Sequence, residues 1–323
     1  MNEVVPLPWQ KKQWMHLYQC HQVNRLAHAL LFTGQIGLGK SLFAASFAKT
    51  LLCKKALVSG ACHRCRDCLL VAANTHPELS YIVPSHKGIK IEQIREGLLP
   101  LNQTTQSPYK ILVINPADSL WLAASNALLK NLEEPTARTL FILITDKPEL
   151  LLPTIRSRCQ IIRFIAPIPS VGKTWIREQL PNIEFIDELY DLADGAPLHA
   201  IEYAKIGLLS SYQSLLNAML LLLKKEIDPI KLAENYLKTE WSILLPCLMK
   251  IVSAILKCKL QVSDTDSVSV LHLLANTLTL TFLFNYFDKL LDLQRHAKTA
   301  LNQQLMLEDL FCCWSLQEIN KPC

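Results

Sequence analysis

Charge is scarce in this chain. Asp, Glu, Lys and Arg make up 19% of its 323 residues, below the roughly one quarter usual for soluble proteins. Half the residues are hydrophobic, so packed cores are expected, with apolar surface left for subunit interfaces. The net charge of +5 permits contact with nucleic acid without predicting it. Met1–Trp14 lacks an apolar core and a cleavage-like site, so no secretion signal is expected and the location is read as cytoplasmic. A sustained apolar run is also missing. Ser267–Phe287 carries no formal charge, but His272, Asn276, Asn285 and three threonines interrupt it, and a buried helix is expected there rather than a membrane span. The cysteines number 11, an odd count without a leader, which argues against a disulfide scaffold. Those at 20, 159, 247, 258, 312, 313 and 323 are scattered and read as small hydrophobes. Internal repeats and low-complexity tracts are absent.

What is present is an ordered alternation. Ala29–Thr33, Leu79–Val83, Ile111–Ile114, Leu140–Thr145 and Gln160–Ile165 are short apolar runs. Helical patterns at Ser41–Leu52, Ile91–Leu99 and Ala123–Leu132 separate them. Short apolar strands divided by helices predict a parallel sheet covered on both faces. Ala166-Pro-Ile-Pro169 breaks the pattern as a linker. Helices are expected at Val171–Leu180, Ile186–Ala193 and Leu198–Lys205, and Leu-rich helices from Leu208 onward. The chain is therefore read as an α/β domain at 1–166, a small helical lid at 167–207 and an all-α domain at 208–323.

Gly34-Gln-Ile-Gly37-Leu-Gly39-Lys40-Ser41 fits the phosphate-loop pattern at every fixed position and stands between a strand and a helix. Glycines let backbone N–H groups curl round phosphate oxygens, and the helix N-terminus adds partial positive charge. Lys40 would reach the β- and γ-phosphates and Ser41 would ligate Mg²⁺, so ATP or ADP with Mg²⁺ is the expected ligand. A loop that binds nucleotide weakly or not at all stays open, because its partners are deficient. A hydrolysing site needs an acidic residue at the end of a following strand and a glutamate to polarise water. After Ile111–Ile114 stand Asn115 and Pro116, neither a general base. Asp118 is expected to be displaced from the site. Binding without efficient hydrolysis follows.

Cys53, Cys62, Cys65 and Cys68 supply four thiolates in one short stretch. Tetrahedral Zn²⁺ with all positions filled is a closed, structural site; an iron–sulfur centre is the alternative. His63 and His76 are substitute ligands. Lys54, Lys55, Arg64 and Arg66 surround the cluster, either as a solvated rim or as a nucleic-acid contact.

Arg25–Gly34, the cysteine insertion behind the first helix, Thr75-His-Pro77, Asn126–Pro135, Leu140–Pro148 and Leu152–Cys159 together resemble the AAA+ subunits of bacterial clamp loaders. Leu301–Leu310 resembles the end of the family's collar. The likeness is strong over 25–165 and weaker beyond. It implies an AAA+ sheet domain with a zinc module at 53–68, a helical lid and an oligomerising collar. Within the family, the ATPase subunits keep an Asp-Glu pair where this chain has Asn115-Pro116, so the sequence resembles the non-hydrolysing stator branch. It departs from that branch's best-known pattern by keeping a full phosphate loop. Leu198 falls near the position where an active subunit places an arginine on the nucleotide. Thr145 matches the first sensor position, or is simply a satisfied strand-end hydroxyl.

Ser157-Arg158-Cys159 carries the functional implication. Arg158 matches the arginine finger that reaches the ATP of an adjacent subunit, where a guanidinium stabilises charge spread over the γ-phosphate oxygens. The implied partners are the tau/gamma ATPase and delta subunits of a hetero-oligomer, with the sliding clamp and primer–template DNA reached through the complex and no membrane. Polymerase chemistry would belong to the holoenzyme, since the chain has no site for nucleotidyl transfer. Trp241, Leu244, Leu271, Leu274, Leu278, Phe282 and Phe287 are read either as a collar interface or as the last domain's own core. Two competing functions remain: an autonomous AAA+ ATPase resting on Lys40, and a zinc-dependent nucleic-acid-binding module.

Overall fold

The computed structural model describes residues 6–85, 88–102, 107–181, 183, 185–237, 239, 241–260, 270–296 and 302–316. Ser267, Leu301 and Cys323 lie outside them. The chain divides into two compact units, Met1–Ile201 and Glu202–Cys323. The lid segment falls largely within the first, and the border runs inside its last helix.

The first unit contains α1 (Lys11–Gln22), β1 (Ala29–Thr33), α2 (Lys40–Leu52), α3 (Arg66–Ala72), β2 (Leu79–Ile82), α4 (Ile91–Leu98), β3 (Lys110–Ile114), α5 (Leu122–Glu133), β4 (Thr139–Thr145), α6 (Pro153–Arg158), β5 (Gln160–Arg163), α7 (Pro169–Gln179) and α8 (Ile186–Leu192). The last helix, α9 (Pro197–Lys205), crosses the border. The strands form one parallel sheet in the order β2-β3-β4-β1-β5. This is the parallel sheet that the alternation of apolar runs and helical patterns implied.

Successive side chains of a strand point to opposite faces. On one face Leu30, Phe32, Ile111, Val113, Ile142 and Phe164 pack with Trp14, Phe43 and Phe47. On the other, Leu31, Leu112, Ile114, Phe141 and Leu143 pack with Leu98, Leu128 and Ile155. Both faces are covered, which explains why β1, β3 and β4 read as unbroken apolar runs. The edge strands differ: Ile162 is buried in β5 while Ile161 is exposed. The expected strands and helices appear within a residue or two of their predicted ends. The linker reading was half right. Pro169 serves as the first residue of α7, where its missing N–H costs nothing. Helices α1, α3 and α6 were not foreseen, because each is short or sparsely apolar. In α1 only Trp14, Leu17 and Tyr18 are buried, one narrow stripe at helical spacing.

The second unit is helical: α10 (Leu208–Leu223), α11 (Pro229–Tyr236), α12 (Trp241–Lys259), α13 (Val270–Thr277), α14 (Leu280–His296) and α15 (Gln303–Ser315). Asp228 and Asn302 cap α11 and α15 through their side-chain oxygens. Trp314 centres the core. Its ring meets Tyr286 at 5.0 Å and Phe282 at 5.5 Å, and its indole N–H donates to Met219 O at 3.0 Å. Of the apolar stripe, Leu244, Leu274, Leu278 and Phe282 are buried inside this unit, while Trp241, Leu271 and Phe287 are half-buried. The uncharged segment is not one helix but two, α13 and α14, with a bend of 110° between them. Among the described residues, no single helix is long and apolar enough to cross a membrane.

Candidate functional site

The carboxyl ends of β1, β3 and β4 open on a cleft of about 410 Å³, lined by Ile36, Gly37, Gly39, Lys40, Ser41, Asn115, Thr145, Asp146 and Leu198 among others. Parallel α/β sheets bind ligands at this edge. Gly37 has φ of +80° and Gly34 of +143°, conformations that side-chain-bearing residues rarely adopt. A Cβ on Gly34 would stand 2.2 Å from Phe164 O, and one on Gly37 2.4 Å from His199 Cβ. The loop is therefore glycine-dependent both in backbone shape and in space.

The loop's carbonyls are held on its outer side. Gln10 Nε2 donates to Leu38 O at 2.8 Å and to Gly39 O at 3.1 Å, and Trp9 Nε1 donates to Leu38 O at 3.0 Å. The N–H of Leu198 donates to Gly37 O at 3.2 Å. Gln35 Nε2 donates to Asp194 O at 2.8 Å. These bonds occupy carbonyls of the loop; N–H groups at a helix N-terminus are what phosphate oxygens bind. Lys40 is buried and donates to Gly34 O and, at 2.8 Å, to Gln35 O. Burial lowers its pKa, and the charges of Asp146 and Asp118 oppose that shift. Two neutral carbonyls are weaker partners for an ammonium than phosphate oxygens are, so the lysine is poised to exchange them.

The strand-end position where a hydrolysing site carries a carboxylate holds an amide. Asn115 ends β3, and its Nδ2 donates to Ser41 Oγ at 3.0 Å. Asp118 does not line the cleft; it accepts from Thr145 Oγ1 at 2.5 Å and its charge reaches Lys40. The Thr145 hydroxyl is thereby occupied, and it also accepts from the N–H of Lys147 at 2.9 Å. Mg²⁺ takes oxygen donors with carboxylate support in near-ideal octahedral geometry. An amide on Ser41 and a carboxylate committed to Thr145 do not supply that set, so the expected Mg²⁺ does not fit this site.

Arg158 lies apart from the residues that line the cleft, at the end of α6. Ile155 and Cys159 anchor this segment in the core, and burial pushes the Cys159 thiol up to about 12, leaving it an inert hydrophobe. Arg158 Nη2 pairs with Glu133 Oε1 at 2.6 Å, and its side chain is 34% exposed. Nη1 donates to Thr154 O at 2.9 Å. Ion pairs this open contribute about 0–1 kcal/mol, a weak hold on a cation.

The four cysteines converge. Their Sγ atoms all lie within 4.8 Å of one another, with Cys53–Cys65 at 3.9 Å and Cys62–Cys68 at 4.0 Å. Zn–S bonds of about 2.3 Å in tetrahedral geometry require such spacing, whereas a multi-iron cluster would spread its cysteines around a larger body. Backbone N–H groups point at the sulfurs: Cys62 and Lys55 at Cys53 Sγ (3.3 and 3.4 Å), Cys65 at Cys62 Sγ (3.4 Å). Those of Arg64 and Cys65 bring the Cys62 thiol down to about 6. His63 and His76 are not ligands. The first lies 3.1 Å from Lys49 Nζ; the second accepts from the N–H of Glu78 and faces Asp67. Arg64, Arg66, Lys54 and Lys55 are exposed, in keeping with a solvated rim.

Sequence reasoning missed Trp9, Gln10 and Glu133. The first two stand 29 and 28 residues before their partner Leu38 without any pattern, and a glutamate at a helix end carries no local signal.

Residues 9–167 match the family described as DNA polymerase III, delta subunit. The chain is 32% identical over 322 residues to the DNA polymerase III subunit delta' of Pseudomonas aeruginosa, covering 95% of this chain and 97% of that protein. It is 35% identical over 178 residues to the subunit delta' of Escherichia coli, covering 54% and 53%, and 38% identical over 182 residues to that of Bacillus subtilis, covering 55% and 53%. Among solved structures, a DNA polymerase III gamma subunit-related protein of Thermotoga maritima aligns with TM-score 0.46 and 17% identity, over 93% of this chain and 98% of that one.

Gly37→Ala is expected to lower the unfolding midpoint of the first unit, because the new methyl meets His199 and the lid-side N–H of Leu198 loses its place on the loop. A midpoint equal to that of the parent protein would contradict this packing.

Proposed function

The chain belongs to the DNA polymerase III subunit delta' family, and from that premise we propose that it serves as the stator of a clamp loader, lending Arg158 to the ATP site of a neighbouring subunit. The observation that carries this reading is the combination of an intact phosphate loop at Lys40 with an amide, Asn115, where the metal-binding carboxylate would stand. Such a site holds a nucleotide and fails to cleave it. Arg158 is then the group that contributes to hydrolysis, in trans. It stands at the end of α6, held by Glu133, Thr154 O and the neighbouring Ser157 hydroxyl. A phosphate is a stronger partner for the guanidinium fork than an exposed carboxylate. Fingers of this kind contribute about 10³–10⁵ in rate, far more than the surface ion pair given up. The partners in this reading are the tau/gamma ATPase and delta subunits, with the sliding clamp and primed DNA reached through the assembly.

Zn²⁺ is the ion we assign to Cys53, Cys62, Cys65 and Cys68. With four thiolates it has no open position, so its part is to fix the insertion between α2 and β2. The autonomous-ATPase reading has Lys40 in its favour and Asn115–Pro116 against it. The nucleic-acid module reading has only the exposed basic rim.

In a loader reconstituted from purified subunits, Arg158→Ala is expected to leave assembly intact and reduce turnover at the adjoining site by about 10³-fold or more. Arg158→Lys should recover little, since a point charge lacks the fork. Unchanged turnover in both variants would remove the finger assignment. For the metal, elemental assay should find one zinc per chain. Replacing Cys62 and Cys65 with serine should release it and lower the first unit's unfolding temperature. Zinc-free parent protein would end that assignment.

A further inference from the structure

In a hydrolysing phosphate-loop site, the Ser or Thr of the loop and a strand-end aspartate jointly hold Mg²⁺ against the phosphates. Here the strand-end residue is neutral, and it places an N–H donor 3.0 Å from the very oxygen that would ligate the ion. The next carboxylate along the chain, Asp118, is engaged by Thr145 at 2.5 Å. Asp146 lines the cleft, and its charge acts on Lys40. The site's positive charge comes instead from the chain itself: the Lys40 ammonium, the loop N–H groups and the N-terminus of α2.

We propose that this cleft takes a nucleoside di- or triphosphate as the metal-free anion, with an affinity nearly independent of Mg²⁺. Mg²⁺ dehydrates reluctantly and binds proteins through one or two carboxylates beside the phosphates. With an amide at the strand end and Asp118 committed to Thr145, the ion gains little from the protein on entering. The anion loses nothing by arriving alone, because Lys40 can exchange its two carbonyl partners for phosphate oxygens. Asn115 is thus the specificity-determining residue of the cleft: it selects for binding without a metal, and so without the chemistry that the metal supports. This inference rests on the reading that the cleft binds nucleotide.

The test is calorimetric titration of the intact chain with ADP and with ATP, once in Mg²⁺ and once in EDTA, alongside Lys40→Ala and Asn115→Asp. The expected result is dissociation constants that agree within about threefold between the two buffers, with binding lost in Lys40→Ala. Asn115→Asp should bind at least about tenfold more tightly in Mg²⁺ than in EDTA. Parent protein whose affinity falls about tenfold or more in EDTA would overturn the metal-free assignment while keeping the cleft as a nucleotide site. Absence of binding in both buffers would remove the nucleotide reading and this inference together. The parent comparison decides the matter even if a variant fails to fold.

Discussion

One hydrogen bond, from Asn115 Nδ2 to Ser41 Oγ, governs what this ATPase-type fold can do. It joins the end of β3 to the start of α2, across the point where a hydrolysing relative would place a metal ion. Everything needed to receive phosphates is retained around it: the glycine loop, the buried lysine and the helix N-terminus. The strand-end position that would carry a metal-binding carboxylate holds an amide instead. In the reading proposed above, the cleft holds an anion and the chain contributes to catalysis elsewhere, through Arg158.

The rest of the first unit makes that division rigid. A sheet buried on both faces fixes the ends of β1, β3 and β4 relative to one another, and interiors at this density do not deform continuously. The loop is clamped from one side by Trp9 and Gln10 and from the other by the N–H of Leu198. Apart from the cleft lining, Cys159 and Ile155 sink into the core on the other face of the sheet and leave Arg158 part-exposed. The cysteine knuckle works in the same sense. Its N–H···S bonds and converged sulfurs give a short insertion, too small for a core of its own, a fixed shape.

Much of this was legible beforehand, and for identifiable reasons. Runs such as Ile111–Ile114 and Leu140–Thr145 are apolar on both faces, a signature of covered parallel strands that needs no tertiary context. Gly34–Ser41 and Cys53–Cys68 are local, and local motifs survive in sequence. What escaped was non-local. Gln10 is a buried polar residue whose purpose appears only when Leu38 and Gly39 arrive beside it. Glu133 meets Arg158 across twenty-five residues. The uncharged stretch near residue 280 read as one helix because composition does not record a bend, and its apolar stripe read equally well as an interface because burial depends on partners the sequence does not show. Asp118 does not line the cleft; it meets Thr145 from the turn at Ala117–Ser119.

The central claim is that the chain cradles a triphosphate without cleaving it. The most direct measurement is steady-state ATP turnover by the purified chain alone, with Mg²⁺ and no companion subunit. The account predicts phosphate release indistinguishable from that of a Lys40→Ala variant. Sustained turnover by the parent chain, abolished in that variant, would contradict it.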